Sequence, residues 1–226
     1  MKSLLTLIVI LLPTVLLAQK REIITVEPRT DLTKSVDRQF LFPEFNDGKV
    51  IFKDNSIAAT KPNYNMLLNE IQFIDDKNDT LSLSNQQNVA LITIGKSIMV
   101  NVKTGFGLVL AQKGLRSLSV KKNIIAKDPP KKGAYGSRSE TTAITQYNSI
   151  SSSGTEILLP VEVELRTSLT YYLVEGTKVN IATKKNFLKM FSNHKKTIEE
   201  YLKTNKINFD KEEDLIQLFN YCVNLQ

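Results

Sequence analysis

The sequence predicts a mainly β fold, an antiparallel sandwich or partly closed barrel, with a small helical subdomain at the C-terminus. Three observations lead there. From Lys49 to Ile181 apolar residues recur at every second position, as at Val50 and Phe52 and again at Ile71 and Phe73, which is the period of a half-buried strand. The runs lie close together, and strands so near in sequence pair as antiparallel hairpins, because a parallel crossover needs about a dozen connecting residues. After Thr183 the apolar spacing changes to the helical period.

Taken along the chain, the alternation predicts strands at Lys49 to Lys53, Ser56 to Pro62, Glu70 to Ile74, Thr80 to Leu83, Val89 to Ile94, Ser97 to Val102, Gly107 to Gln112 and Leu115 to Ala126. Further strands are expected at Glu156 to Leu165, Thr167 to Val174 and Lys178 to Ala182. Turn chemistry separates them. Asp47-Gly48, Asp54-Asn55, the run Asp75 to Asp79, Gly95-Lys96 and Glu175-Gly176 suit positive φ or side-chain-bonded turns.

Three helices are expected next. Phe187, Leu188 and Phe191 mark the first, and Ile198, Tyr201 and Leu202 the second, with Ser192 as its N-cap. Asp210 with Glu213 three residues on forms an acidic capping box for the third, which carries Leu215, Ile216, Leu218, Phe219 and Val223. Their apolar stripes are expected to cover a sheet face or edge. Between strands, 127–154 holds Pro129, Pro130, Gly133, Gly136 and Gly154 in a serine- and threonine-rich run with few aliphatic residues, which predicts a mobile loop. The organisation expected is therefore a signal peptide at 1–18, an antiparallel β domain at 19–182 containing that loop, and a helical subdomain at 183–226.

The address is read from the first residues. Lys2 supplies a positive start, Ser3 to Leu17 is almost wholly apolar, and Ala18 is the small residue that precedes a signal-peptidase cut, so the mature protein is expected to begin at Gln19. The competing reading, a membrane anchor, needs about 20 apolar residues, and the run ends sooner in Gln19, Lys20, Arg21 and Glu22. The single cysteine, Cys222, lies near the C-terminus, far from the expected cut, which argues against lipidation there and against any internal disulfide. The protein is therefore expected to be secreted, in the periplasm or on the outer cell surface, with no stable membrane anchor. Cys222 shares an apolar helical stripe with Leu215, Leu218 and Phe219 and is expected to be buried as a small hydrophobe.

The residue inventory argues against most catalytic arrangements. With one histidine, His194, one cysteine and no tryptophan, neither a Ser-His-Asp nor a Cys-His site is credible, and no zinc cluster exists. The acidic turn Asp75 to Asp79 fails the calcium-loop pattern, because counting from Asp76 puts Leu81 where glycine is needed and Gln87 where glutamate is needed. Glu156, Glu162 and Glu164 alternate along expected strands and read as a solvated face rather than a glycosidase pair. Gly105-Phe106-Gly107 lacks the rest of a phosphate loop. The expectation is a non-catalytic protein with no cofactor and no metal.

Charge is more informative. The chain carries a formal +7, and the same +7 sits in the window 113–138, where Lys113, Arg116, Lys121, Lys122, Lys127, Lys131, Lys132 and Arg138 oppose only Asp128. Such a local field attracts an anionic glycan, a lipid head group or an acidic protein. Nucleic acid is not expected outside the cytoplasm, and no aromatic platform is interleaved with these lysines. Lys113, Arg116, Lys121, Lys122, Lys131, Lys132 and Arg138 are the candidate anion-binding residues. The competing expectation is a carrier, in which a β cavity holds a lipid or another hydrophobic ligand.

At Phe42-Pro43-Glu44-Phe45, Asp47-Gly48-Lys49-Val50, the run Asn63 to Ile74 and Asp79-Thr80-Leu81, the chain resembles uncharacterised secreted proteins of Bacteroidetes bacteria. The C-terminal run from Lys184-Lys185-Asn186-Phe187 through His194-Lys195-Lys196 to Asp214-Leu215 resembles them too. These proteins have no established activity, so the resemblance implies a periplasmic or outer-surface envelope protein and transfers no catalytic residue. Asp79-Thr80-Leu81 is also similar to the O-glycosylation acceptor of exported proteins from such bacteria, which makes Thr80 a candidate modification site.

Overall fold

A computed structural model describes residues 21–25, 36–127 and 162–225 of the chain. The expected signal peptide and, apart from Lys127, the expected loop at 127–154 lie outside the described residues. What is described is mainly antiparallel sheet followed by three helices. The strands are β1 (Arg21–Thr25), β2 (Gly48–Phe52), β3 (Ile57–Asn65), β4 (Glu70–Ile74), β5 (Thr80–Ser82), β6 (Val89–Ile94), β7 (Ser97–Asn101), β8 (Phe106–Lys113), β9 (Arg116–Lys127), β10 (Glu162–Glu175) and β11 (Lys178–Ile181). The helices are α1 (Lys184–Met190), α2 (Lys195–Asn205) and α3 (Glu212–Asn224).

The strands form one 11-stranded sheet in the order β1-β10-β9-β8-β7-β6-β2-β3-β4-β5, with β11 also on β10. It curls without closing. The backbone N–H of Ile124 on β9 donates to the carbonyl of Met66, just past β3, at 2.9 Å, so two strands five places apart in the order touch at one end. Val50, Tyr64, Ile71, Val89, Ile92, Ile94, Met99 and Phe106 pack into one core cluster. At Gly48 a side chain would collide with this curl, since a Cβ there would lie 2.0 Å from the carbonyl oxygen of Thr93. Glycine permits that approach.

The helices cover the β8, β9 and β10 region on the same face as Ile92 and Met99 of that cluster, since Ile92, Met99, Leu108, Val120 and Tyr171 are successive ladder partners. Leu118, Val120, Tyr171 and Leu173 pack with Phe187, Phe191, Ile198, Leu215, Leu218, Phe219 and Cys222 in one continuous cluster. Cys222 is fully buried there, and burial pushes its thiol up to about 12, so it behaves as the small hydrophobe expected.

Several local expectations need correction. The strands expected on either side of Arg166 are one, because Glu164 to Glu175 pair with β9 without a register break. β3 runs through Pro62 to Asn65; β2 pairs only as far as Thr60, so at Pro62 one side of β3 has no ladder and a missing N–H is tolerated. Ser192 does not cap α2 but opens a single 3₁₀ turn, Ser192–His194, and α2 starts after it without a side-chain cap. The capping box at Asp210 and Glu213 does not form either. Lys211 occupies the N-cap position of α3, and Asp214 instead accepts the Asn208 N–H at 2.9 Å. Thr183 caps α1, its hydroxyl accepting from the Asn186 N–H.

Candidate functional site

The basic residues expected to form one anion site are dispersed by strand geometry. Lys113 and Arg116 flank the two-residue turn Gly114-Leu115 between β8 and β9. The Lys113 ammonium donates to the carbonyl of Val223 at 2.9 Å and to Asn224 Oδ1 at 3.2 Å, which places a cation on the C-terminus of α3, the negative end of its dipole. Arg116 Nε donates to Glu175 Oε1 at 2.6 Å, and its guanidinium lies 5.2 Å from the Phe191 ring centroid. Both residues hold the helices to the sheet.

Lys121 and Lys122 are adjacent in β9 and therefore point to opposite faces. Lys121 is only 6% exposed. Its ammonium donates to the carbonyl of Thr104 and, at 3.4 Å, to the Thr104 hydroxyl. Asn69 Nδ2 donates to the same carbonyl at 2.9 Å, the Tyr64 hydroxyl donates to Asn69 Oδ1, and the Tyr172 hydroxyl lies 3.3 Å from Thr104 Oγ1. Burial holds the Lys121 amine below the usual lysine range. Ser119 and Asn123, two residues away on either side, each bury a polar oxygen with no hydrogen-bond partner among the described residues. Lys122 is half-buried on the face that carries Leu118 and Val120. Lys131, Lys132 and Arg138 lie outside the described residues.

Other expected features find definite places. Asp75 Oδ1 accepts from the N–H groups of Lys77 and Asp79, at 2.9 and 2.8 Å, so the acidic run is the β4–β5 hairpin turn. Thr80 is exposed at the start of β5, the last strand of the sheet order. Glu164 departs from the solvated face expected of it. It is 3% exposed and accepts from Arg166 Nε at 2.6 Å. Glu162 begins β10, and Glu156 lies outside the described residues. Among the described residues no three His, Cys, Asp or Glu side chains gather to hold a metal ion, and no helix is long and apolar enough to cross a membrane.

A second basic feature was not anticipated. Between Lys184 and Lys206 the chain carries Lys184, Lys185, Lys189, Lys195, Lys196, Lys203 and Lys206 against Glu199 and Glu200, and all seven lysines are exposed. On α2 the buried side is Ile198, with Tyr201 and Leu202 half-buried. At 100° per residue this leaves Lys196, Lys203 and Glu200 on the side away from Ile198, with Lys195 exposed in the first turn nearer the buried side. The signal was available as a lysine run read at the helical period. It was overshadowed because the denser run at 113–138 held the whole net charge of the chain.

Neither of two hollows found among the described residues is an apolar cavity. The larger, about 1000 Å³ and open to solvent, lies at the end of the β2–β3 and β4–β5 hairpins, where Lys49 and Lys61 face Asp47, Asp75 and Asp76. A smaller open hollow of about 460 Å³ is lined by Phe52, Lys53, Asp54, Ser56, Leu83 and their neighbours. No protein-family model matches the chain, and neither the curated proteins nor the solved structures contain a match to it.

Proposed function

We propose that the chain is an exported, non-catalytic protein of the cell envelope that contacts an anionic partner through the lysine-rich outer surface of α1 and α2. One observation carries the reading: these lysines are exposed and outnumber the nearby glutamates, whereas Lys113, Arg116 and Lys121 of the 113–138 window are each engaged by a partner within the chain. Lysine on a helix surface is a mobile point charge, suited to a diffuse polyanion rather than a shaped pocket. The carrier reading has less support, because Tyr64, Phe106, Met99 and their aliphatic neighbours pack against one another in a buried cluster.

The test is retention on an acidic polysaccharide matrix. Changing Lys184, Lys185, Lys195 and Lys196 together to glutamine should lower the salt needed for elution while changing stability by no more than about 0.5 kcal/mol per substitution, as expected for exposed positions. Binding should also weaken as salt rises, since the Debye length contracts to about 8 Å at physiological ionic strength. Unchanged elution in the fourfold variant would refute the reading.

A further inference from the structure

We infer that this protein docks on an anionic lipid bilayer through the β8–β9 turn and the adjoining basic helices, with the Leu115 side chain entering the membrane interface. The inference rests on the anion-contact reading and narrows its partner to a membrane surface. Leu115 is 82% exposed, more than Ile57, Ile181, Leu81 or Leu169, the other exposed large apolar side chains of the described residues. It stands at a hairpin tip, beside Gly114 at φ 59°, where an added Cβ would meet nothing within 4 Å. Glycine first in a two-residue turn is what the strand twist favours, and a polar residue would serve equally well second. Hairpin geometry therefore does not explain a leucine.

Cations lie near the tip, although the nearest, Arg116, is paired with Glu175. Arg116 follows it, and the Gly176 N–H donates to the Leu115 carbonyl at 3.2 Å, which brings the β10–β11 turn and the exposed Lys178 alongside. Arg116 reaches the Phe191 ring, and the Ser192–His194 turn leads from Phe191 directly into Lys195 and Lys196. Isolated surface leucines are ordinary. A leucine projecting at a tip beside lysines is the pattern by which peripheral proteins sit at a bilayer, since cations are drawn to anionic head groups while an aliphatic chain partitions beneath them. A sulfated or carboxylated glycan would make no use of the leucine, so Leu115 favours the bilayer.

The chain contains no tryptophan, so Leu115→Trp supplies a unique emission probe. The exported chain is incubated at low salt with vesicles of phosphatidylglycerol and phosphatidylcholine, or of phosphatidylcholine alone, and sedimented. Binding is expected to the anionic vesicles only. Leu115→Ser should weaken it about tenfold, the order expected for losing one buried aliphatic side chain, without lowering the thermal midpoint. Leu115→Trp should retain binding and shift its emission to the blue on the anionic vesicles. Sedimentation that is indifferent to Leu115→Ser, or no blue shift from Leu115→Trp on bound protein, overturns the insertion. Retention on acidic polysaccharide without vesicle binding overturns this inference and leaves the anion-contact reading standing. Failure on both supports overturns the two together.

Discussion

Truncation of Phe219 to alanine tests whether the helices and the sheet are one cooperative body. Phe219 is fully buried on α3, with its ring edge-on to Phe191 at a centroid distance of 6.4 Å, in the cluster that also holds Leu118, Val120 and Leu173 of the sheet. Removing a buried phenyl ring costs about 3 to 5 kcal/mol, because the lost transfer energy adds to that of a cavity the neighbours fill only in part. For a chain of 226 residues each kcal/mol moves the thermal midpoint by about 2 to 4 °C, so Phe219→Ala should lower it by about 6 to 20 °C. Circular dichroism follows helix and strand loss, while tyrosine fluorescence reports Tyr64 in the sheet cluster with Val50 and Met99, and Tyr171, Tyr201 and Tyr221 by the helices. Both probes should give one coincident transition in wild type and variant. A loss below about 1 kcal/mol, or helical signal disappearing well before strand signal, would refute the shared core.

Two further outcomes follow from the geometry. Gly48→Ala should destabilise by at least about 1 to 3 kcal/mol, because its Cβ would fall 2.0 Å from the Thr93 carbonyl oxygen and 3.0 Å from the Pro62 ring, so β2 would have to part from β6 or β3; denaturant unfolding measures it, and a variant as stable as wild type would contradict the close approach. Tyr171 is pushed up to about 12, first by burial and then by Glu212, Glu213 and Asp210, so the folded state favours its neutral phenol. The stability this contributes is fully present below the unfolded value of about 10 and is lost as pH rises through about 12. Tyr171→Phe should therefore reduce the fall in stability over that alkaline range, and an unaltered pH profile would exclude the contribution.

Much of the sheet was legible because its determinants are local. Alternation at Ile71 and Phe73 and the Asp75 to Asp79 turn lie within a few residues of the strands they define, and β4 and β6 have the expected bounds. The misses are tertiary. β1 is only five residues long and is held by pairing with β10, a partner about 140 residues away in sequence that no local pattern reveals. Ser192 was a sound cap by type, but Phe191 must be buried against Phe187 and Phe219, and a tight 3₁₀ turn makes the connection. Glu164 looked like a solvated strand residue because alternation marks which positions share a face but not what covers that face.

The same distinction governs the charge. Consecutive lysines mean different things on a strand and on a helix. In β9 the two-residue period sends Lys121 to the face it shares with Ser119 and Asn123, and Lys122 to the face it shares with Leu118 and Val120, so a dense run of positive sequence makes no common surface there. In α2 each step turns by 100°, which puts Lys196 and Lys203 together on the side away from Ile198. A formal charge summed over a window is therefore converted into a surface field only after the period of the backbone is known. Applied to this chain, that conversion places the exposed lysines on the helices rather than on β9, and it leaves Lys113, bonded to the C-terminus of α3, and Arg116, over the Phe191 ring, as the residues that join the helices to the Leu115 turn.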